Sequence, residues 1–342
     1  MTPVVVQKLA DSDAFIVSDL DGAPRHVGIV RLAPKILVDG ANTLARSMTY
    51  LFASFEQQIG GASAGINAKP DDRAAAIEAF VAQAGPQVAD GSLVLRAGKG
   101  LGDGDLEPLR AQAPSPGPAP DAARTLLGPG AVAAAVAARD GLDGARVAID
   151  GLEPATSSLL DELAGAGATV VAVATTAGTA SDPSGIDPAR LTGALAEHGA
   201  AAVEHLDLEV APAAAVFGAA ADVLFVGSKV GAIDHDTAAG ITAGLVVPIG
   251  PVPVTAKALA VLRRADATVL PDFVSVAGPW FSVFADAPST VEDLRPVVVA
   301  AISAAIGEVR SHEDGPLLGA CYRAEGYLRS WQESLPFGRP LA

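Results

Sequence analysis

Three side chains that could bind a metal ion alternate along one short segment of the chain. His205, Asp207 and Glu209 are separated by single residues, so on a β-strand they would share one face. Imidazole and carboxylate groups are ligands for several divalent metals. Because the same spacing also fits a solvated strand face, no metal site is assigned from it.

Other residues of reactive type have simpler structural explanations. The D-H-D triplet at 234–236 precedes residues typical of a helix, which predicts a helix N-cap. The D-G-D triplet at 103–105 is predicted to form a turn. Cys321, the one cysteine of the chain, is predicted to be buried. Trp280 and Phe281 fit ordinary core packing, with a pocket wall as the alternative.

A strand, turn, helix and second strand over 147–173 have the layout of a dinucleotide-binding unit. Such turns carry G-x-G-x-x-G directly after the first strand. Here Gly151 and Leu152 are followed by Glu153, which adds bulk and negative charge where a glycine would let the backbone approach a pyrophosphate. The second strand ends near Thr175 without the acid that binds a ribose. The sequence predicts the scaffold and leaves the binding of NAD or NADP open.

Two motifs in the first third of the chain carry a family resemblance. M-T-Y-L at 48–51 and G-G-A-S-A-G-I at 60–66 resemble the M-T-x-K and G-G-[AG]-K-[AG]-[GV]-I signature of the glutamate/leucine/phenylalanine/valine dehydrogenases. The similarity continues in the family's order through several later segments, at 147–163, 221–224, 231–234, 250–251, 271–274 and 277–278.

The resemblance implies that this chain lacks the family's catalytic groups. In the family one lysine binds the substrate carboxylate, a second works on water and the imine carbon, and an aspartate transfers protons. The lysine positions fall on Leu51 and Ser63, whose separation of twelve residues matches the family's spacing. The aspartate falls near Lys99 and Gly100. No catalytic residue is therefore expected in these positions.

The positions that bind the cofactor in the family are also replaced in this chain. Two asparagines of the family fall on Ile249 and Val276, which makes the expected cleft between the domains apolar. The remaining cofactor-binding candidates are weak: Gly151, Leu152, Glu153, Thr175, Ile249 and Val276.

Three functions remain open at this stage. The first is a catalytically degenerate homologue that acts as a binding or structural partner, including beside an active paralogue. The second is an active NAD(P)-dependent amino-acid dehydrogenase that carries out oxidative deamination. The third is altered chemistry on an uncharged ligand in the same cleft. The missing lysines favour the first.

Composition restricts the partners and the compartment. The chain has 342 residues and a net charge of −16. Because an acidic surface repels phosphate, nucleic acid and anionic membranes are excluded as expected partners. A single cysteine fits a reducing compartment, and no signal peptide or membrane span is recognised, so a cytoplasmic protein is expected. The resemblance implies a homo-oligomer.

The order of predicted elements indicates an α/β fold with two domains. The first, 1–120, is an N-terminal α/β domain of the substrate and dimerisation type, and it ends in a linker with a proline at every second position. The second, 121–290, alternates apolar strands with helices, which is typical of a Rossmann-like, doubly wound parallel sheet. By resemblance, the C-terminal helices in 291–342 are expected to pack back on the first domain.

Overall fold

The computed structural model describes residues 4–10, 12–113, 117–285 and 287–342. The chain forms two compact units. Unit 1 comprises Met1–Pro120 and Cys321–Pro340, and unit 2 comprises Asp121–Ala320 and Leu341–Ala342. Most of the linker predicted from alternating prolines lies at the end of the first segment of unit 1, with residues 114–116 outside the described part.

Unit 1 contains a mixed five-stranded sheet in the order β1-β2-β4-β3-β5. Strand β4 pairs in parallel with β3 and antiparallel with β2, and β5 runs parallel to β3 at the edge. Strand β4 is central, and its residues 62–66 pair with both neighbouring strands. The strands are β1 (Val5–Lys8), β2 (Ala14–Ser18), β3 (His26–Ala33), β4 (Gly60–Asn67) and β5 (Leu93–Ala97).

Two long helices cover opposite faces of this sheet, α1 (Val38–Ser54) and α2 (Arg73–Ala89). Successive residues of a strand pack against different helices, because their side chains point alternately to the two faces of the sheet. Phe15 and Val17 pack with alanines of α1, whereas Ile16 packs with apolar residues of α2. A short helix α3 (Glu107–Arg110) follows β5.

Unit 2 contains a seven-stranded sheet in the order β12-β11-β10-β6-β7-β8-β9. The five strands from β12 to β7 are parallel, and β8 and β9 extend the edge antiparallel. The predicted doubly wound parallel sheet is therefore confirmed. The strands are β6 (Arg146–Asp150), β7 (Thr169–Thr175), β8 (Gly178–Ser181), β9 (Val210–Ala211), β10 (Val223–Val226), β11 (Leu245–Pro248) and β12 (Thr268–Val269).

Several helices of unit 2 begin at polar caps. Asp187, Asp234 and Thr255 each accept a hydrogen bond from a first-turn amide of the helix that follows. The predicted cap at Asp234 is confirmed. The helices that follow α3 are α4 (Pro120–Arg124), α5 (Leu127–Arg139), α6 (Ser158–Gly165), α7 (Pro188–His198), α8 (His235–Ala239), α9 (Ala256–Arg264), α10 (Asp272–Ser275), α11 (Val291–Val309) and α12 (Pro316–Leu328). The residues of α12 are divided between the two units at Ala320 and Cys321.

The C-terminal region divides differently from the expectation that all of 291–342 packs on the first domain. Residues 291–320 group with unit 2, and only Cys321–Pro340 groups with unit 1. Helix α11 packs against α5, because α5 is buried along most of its length and needs apolar cover beyond the sheet. Among the described residues, no helix is long and apolar enough to cross a membrane.

Candidate functional site

Ser63 lies in the interior of unit 1. It is the fourth residue of β4, where it pairs with Val17 of β2 and Ile29 of β3, and it is 0% exposed. A Cβ atom at Gly61 would lie 1.8 Å from the carbonyl oxygen of Ala45, so this face of β4 is packed directly on α1. Because residues two apart share a face, the Ser63 hydroxyl points to the same covered side.

The hydroxyl of Ser63 finds no hydrogen-bond partner within the described part of the chain. Leu51, on which the other lysine position of the family falls, lies on α1 and is 1% exposed. The second half of α1 is buried residue by residue from Leu44 to Ser54. A hydroxyl without a neighbouring base and an aliphatic side chain supply neither a cation for a carboxylate nor a proton-transferring group.

The loop after β5 is where the family's aspartate was expected. Lys99 is exposed, and its carbonyl accepts the amide of Leu32 at 2.8 Å. Gly100 has a φ of +85°, and a Cβ there would lie 2.0 Å from the carbonyl oxygen of Leu32, so only glycine fits. Neither residue provides an acid.

The nearby acids at 103 and 105 lie in a 3-10 helix, Asp103–Leu106, rather than in a simple turn. Asp105 accepts two hydrogen bonds from the Arg73 guanidinium, at 3.0 and 2.5 Å. This interaction holds the pKa of Asp105 below its usual value. Asp103 is 7% exposed, which makes it the more enclosed of the two acids.

The turn after β6 is filled by protein atoms. Gly151 has a φ of +84°, and a Cβ there would lie 2.4 Å from the amide nitrogen of Ser228 in the loop after β10. Leu152 is 1% exposed and belongs to the core. Glu153 is exposed, and its amide donates to Thr156 Oγ1 at 3.0 Å to begin a 3-10 helix. This 3-10 helix, Pro154–Thr156, precedes α6.

A buried acid that the sequence reasoning missed ends β6. Asp150 is 4% exposed, and its carboxylate accepts the amide of Ser228 at 3.1 Å and the hydroxyl of Ser228 at 2.6 Å. A charged residue at the end of an apolar strand was the available signal. Asp150 fastens the loop after β10 to the turn after β6, at the carboxyl end of the parallel strands where ligands of such sheets bind.

The other predicted cofactor positions carry no charge. Thr175 at the end of β7 donates to the carbonyl of Ala200 at 2.5 Å and accepts the amide of Ala177 at 3.1 Å, so its hydroxyl is occupied by the backbone. Ile249 is 5% exposed, and Val276 follows α10 as an apolar, partly buried residue.

The metal candidate is not supported, because its segment is not a strand. His205 ends a 3-10 helix, Gly199–His205, and its ring stacks on His198 with centroids 3.6 Å apart. Asp207 adopts a positive φ of 53°, which breaks the alternation. The described residues contain no group of three side chains suited to a metal ion.

The remaining two expectations concerned burial. Cys321 is buried with 0% exposure, as predicted. Trp280 and Phe281 are buried within a 3-10 helix, Gly278–Val283, and the ring of Phe281 lies 4.7 Å from that of Phe284. Both aromatic residues therefore pack within unit 2.

The chain has two α/β units, and the second has a Rossmann-like, mainly parallel sheet with a glycine turn after strand β6. Residues 125–283 match the family model described as Glutamate/Leucine/Phenylalanine/Valine dehydrogenase. The match confirms the resemblance for the segments in this range, whereas the motifs at 48–51 and 60–66 lie outside it. No curated protein sequence matches the chain.

Solved structures share the fold along nearly the whole chain. A hetero-hexameric glutamate dehydrogenase from Thermus thermophilus (Leu bound form) has a TM-score of 0.77 at 23% identity, covering 97% of this chain and 90% of that one. A mutant glutamate dehydrogenase has a TM-score of 0.81 at 16% identity, covering 96% and 86%. L-tryptophan dehydrogenase from Nostoc punctiforme has a TM-score of 0.66 at 18% identity, covering 97% of each chain.

Proposed function

We propose that this chain is a homologue of the amino-acid dehydrogenases that has lost oxidative deamination and acts as a binding or structural partner. One observation carries the proposal: Ser63, at the position that resembles the catalytic lysine, is fully enclosed between β4 and α1. Leu51, at the position of the substrate-binding lysine, is also buried and apolar. An α-carboxylate needs a cation, and deamination needs a tuned base at the α-carbon.

The cofactor side supports the same proposal. Asp150 and Glu153 place two acids on the turn that would receive a pyrophosphate, and a phosphate is repelled by negative charge. NAD and NADP are accordingly weak ligands in this proposal.

Thermal melting with millimolar NAD or NADP tests the cofactor part. A ligand that binds only the native state at 100 times its Kd stabilises by about 2.7 kcal/mol, which would raise the melting temperature by roughly 5–10 °C. We expect no saturable shift of this size. A clear shift would instead favour the active dehydrogenase, which the family match and the shared fold support equally well.

Turnover assays test the chemistry. The purified protein should show no NAD(P)-linked oxidation of glutamate, leucine, valine, phenylalanine or tryptophan at alkaline pH, with an active dehydrogenase as positive control. Ser63→Lys alone should stay inactive, because groups that act as one unit are not restored singly. Turnover by the unmodified protein that is abolished by changing Lys99 or Asp103 would show that the catalytic groups had moved.

A third candidate is chemistry on an uncharged ligand, favoured by the apolar residues Leu51 and Ile249 at positions that are polar in the family. A metabolite screen by thermal melt would reveal such a ligand. A saturable response to a neutral compound, together with its chemical conversion, would replace the proposal of an inactive partner.

The proposed role implies assembly in the cytoplasm with a second chain. One structural relative is a hetero-hexamer, and the proposal is that this chain assembles with copies of itself or with an active paralogue through unit 1. Light scattering at micromolar concentration should give at least a dimer. A monomeric mass, unchanged on mixing with the paralogue, would contradict this part of the proposal.

A further inference from the structure

Arg31 occupies the same covered sheet face of unit 1 as Ser63. Strand β3 pairs in parallel with β4, with Ile29 opposite Ser63 and Arg31 opposite Gly65. Residues two apart on a strand share a face, so Arg31 and the Ser63 hydroxyl are diagonal neighbours on the α1 side. Arg96 of β5, opposite Ile29, lies on this face as well and adds to the positive charge of the face.

The Arg31 guanidinium has two N–H donors with no acceptor. Its Nε and Nη2 atoms are buried and lack a hydrogen-bond partner among the residues that the structure describes. Burial lowers the pKa of Arg31 below its ordinary value. An unpaired buried donor is costly, and more so when it is charged. Such an atom in a folded protein calls for an explanation, of which a bound ligand is one.

In two other arginines of unit 1, the edge of the guanidinium formed by Nε and Nη2 binds a carboxylate. Arg46 donates from Nε and Nη2 to the two carboxylate oxygens of Asp19, both at 2.7 Å. Arg339 uses the same two atoms for Glu325, at 2.7 and 3.2 Å. The parallel N–H bonds of this edge match a carboxylate in geometry and charge.

We propose that the Nε–Nη2 edge of Arg31 is the binding site for the carboxylate of a small-molecule ligand within unit 1. The Ser63 hydroxyl, also without a protein partner, supplies a neutral donor on the same face. A ligand reaches this site only if the residues that cover this face of the sheet move aside. Gly98 of the loop after β5 lies beside this site, because a Cβ there would be 3.3 Å from Arg31 Cγ.

The inference concerns unit 1 alone and does not depend on whether the chain turns over an amino acid. Carboxylate binding and cofactor binding have separate readouts, so failure of one leaves the other interpretable. It also differs from the family resemblance, which places the substrate carboxylate at the position of Leu51.

The test is a thermal melt with acetate, pyruvate and succinate, each titrated at constant ionic strength against chloride and inorganic phosphate. We expect a saturable rise of about 5 °C near saturation with at least one carboxylate. Arg31→Met should abolish this rise, and Arg31→Lys, which keeps the charge but loses the paired edge, should weaken binding by at least about tenfold. A ¹⁵N spectrum of the arginine Nε groups should show the Arg31 signal moving as the carboxylate is added.

Arg190→Met is the matched control, because Arg190 lies in unit 2 in an exposed pair with Asp207. It should leave the carboxylate response unchanged. A melt without ligand provides a second check: Arg31→Met should be at least as stable as the unmodified protein, because it removes an unpaired buried charge. No saturable shift with any carboxylate, an equal response to phosphate, or a response that survives Arg31→Met would overturn the assignment.

Discussion

The two units bury their charged groups in different ways. In unit 1 two of the buried acids, Asp19 and Glu325, face arginines, and each forms a two-point ion pair. In unit 2 the buried acids Asp150 and Asp272 accept backbone amides, from Ser228 at 3.1 Å and from Val252 at 2.9 Å. The first arrangement joins opposite charges, whereas the second joins a charge to peptide dipoles.

The partners also differ in their distance along the chain. Arg46, besides pairing with Asp19, donates from Nη1 to the carbonyl oxygens of Phe337 and Gly338, the latter at 2.8 Å and 292 residues away in sequence. Asp150 and Ser228 are 78 residues apart and end neighbouring parallel strands. An arginine of α1 thus holds the C-terminal segment in unit 1, whereas Asp150 in unit 2 holds a loop beside its own strand.

Replacement of Asp19 should lower the free energy of unfolding more than any other substitution considered. Asp19→Ala leaves the Arg46 guanidinium in the interior without its carboxylate, which costs about 3–5 kcal/mol. Each unit contains one of the two tryptophans. Urea unfolding in a Trp280→Phe background therefore follows unit 1 through Trp331. Glu107→Ala, which breaks the exposed pair with Arg110, is the control and should cost less than about 1 kcal/mol. If the two variants lower the free energy of unfolding equally, the buried pair of Asp19 stabilises unit 1 no more than an exposed pair does.

Loss of Asp150 should have a smaller effect. Asp150→Ala leaves the amide and hydroxyl of Ser228 without this acceptor but leaves no opposite charge unpaired, so it should cost about 1–3 kcal/mol. Trp280 in a Trp331→Phe background reports on unit 2. Glu153→Ala on the same turn is exposed and should stay within about 0.5 kcal/mol. If Asp150→Ala costs as much as Asp19→Ala, backbone amides hold a buried charge as strongly as an arginine does.

Regular elements could be predicted where a local pattern was sufficient. The apolar run at 147–149 and the cap residue Asp234 are determined by neighbours in sequence, and both predictions are confirmed. The strand considered for His205, Asp207 and Glu209 is not formed. A period of two over five residues does not distinguish a strand from a 3-10 helix followed by a residue with positive φ.

Partners from distant segments could not be predicted in this way. Asp150 is readable as a charge at a strand end, but its partner comes from a loop 78 residues further along. The apolar face of α11 indicates burial without naming the surface that it covers, and the structure places it on α5. The orphaned donors of Arg31 depend on strand register, which sets the face that each side chain shares.

The last prediction concerns the second ion-pair network of unit 1 and has the smallest effect at neutral pH. The Tyr50 hydroxyl donates to Glu325 at 3.1 Å, and burial together with the Glu325 charge raises the pKa of Tyr50 above its ordinary value. An unfolded tyrosine ionises near pH 10, whereas the folded one stays protonated. The stability that neutral Tyr50 contributes is therefore complete below about pH 10 and is lost as the pH rises through the folded pKa.

Tyr50→Phe should cost about 1 kcal/mol at pH 7 through the lost hydrogen bond and should flatten the decline in stability above pH 10. The measurement is the urea midpoint followed by Trp331 at a series of alkaline pH values. Tyr322→Phe, an exposed phenol on the same C-terminal segment, is the control and should retain the decline because Tyr50 is still present. An equally steep decline in Tyr50→Phe would mean that the alkaline sensitivity of unit 1 comes from another group, and that its ion pairs do not depend on a neutral phenol beside Glu325.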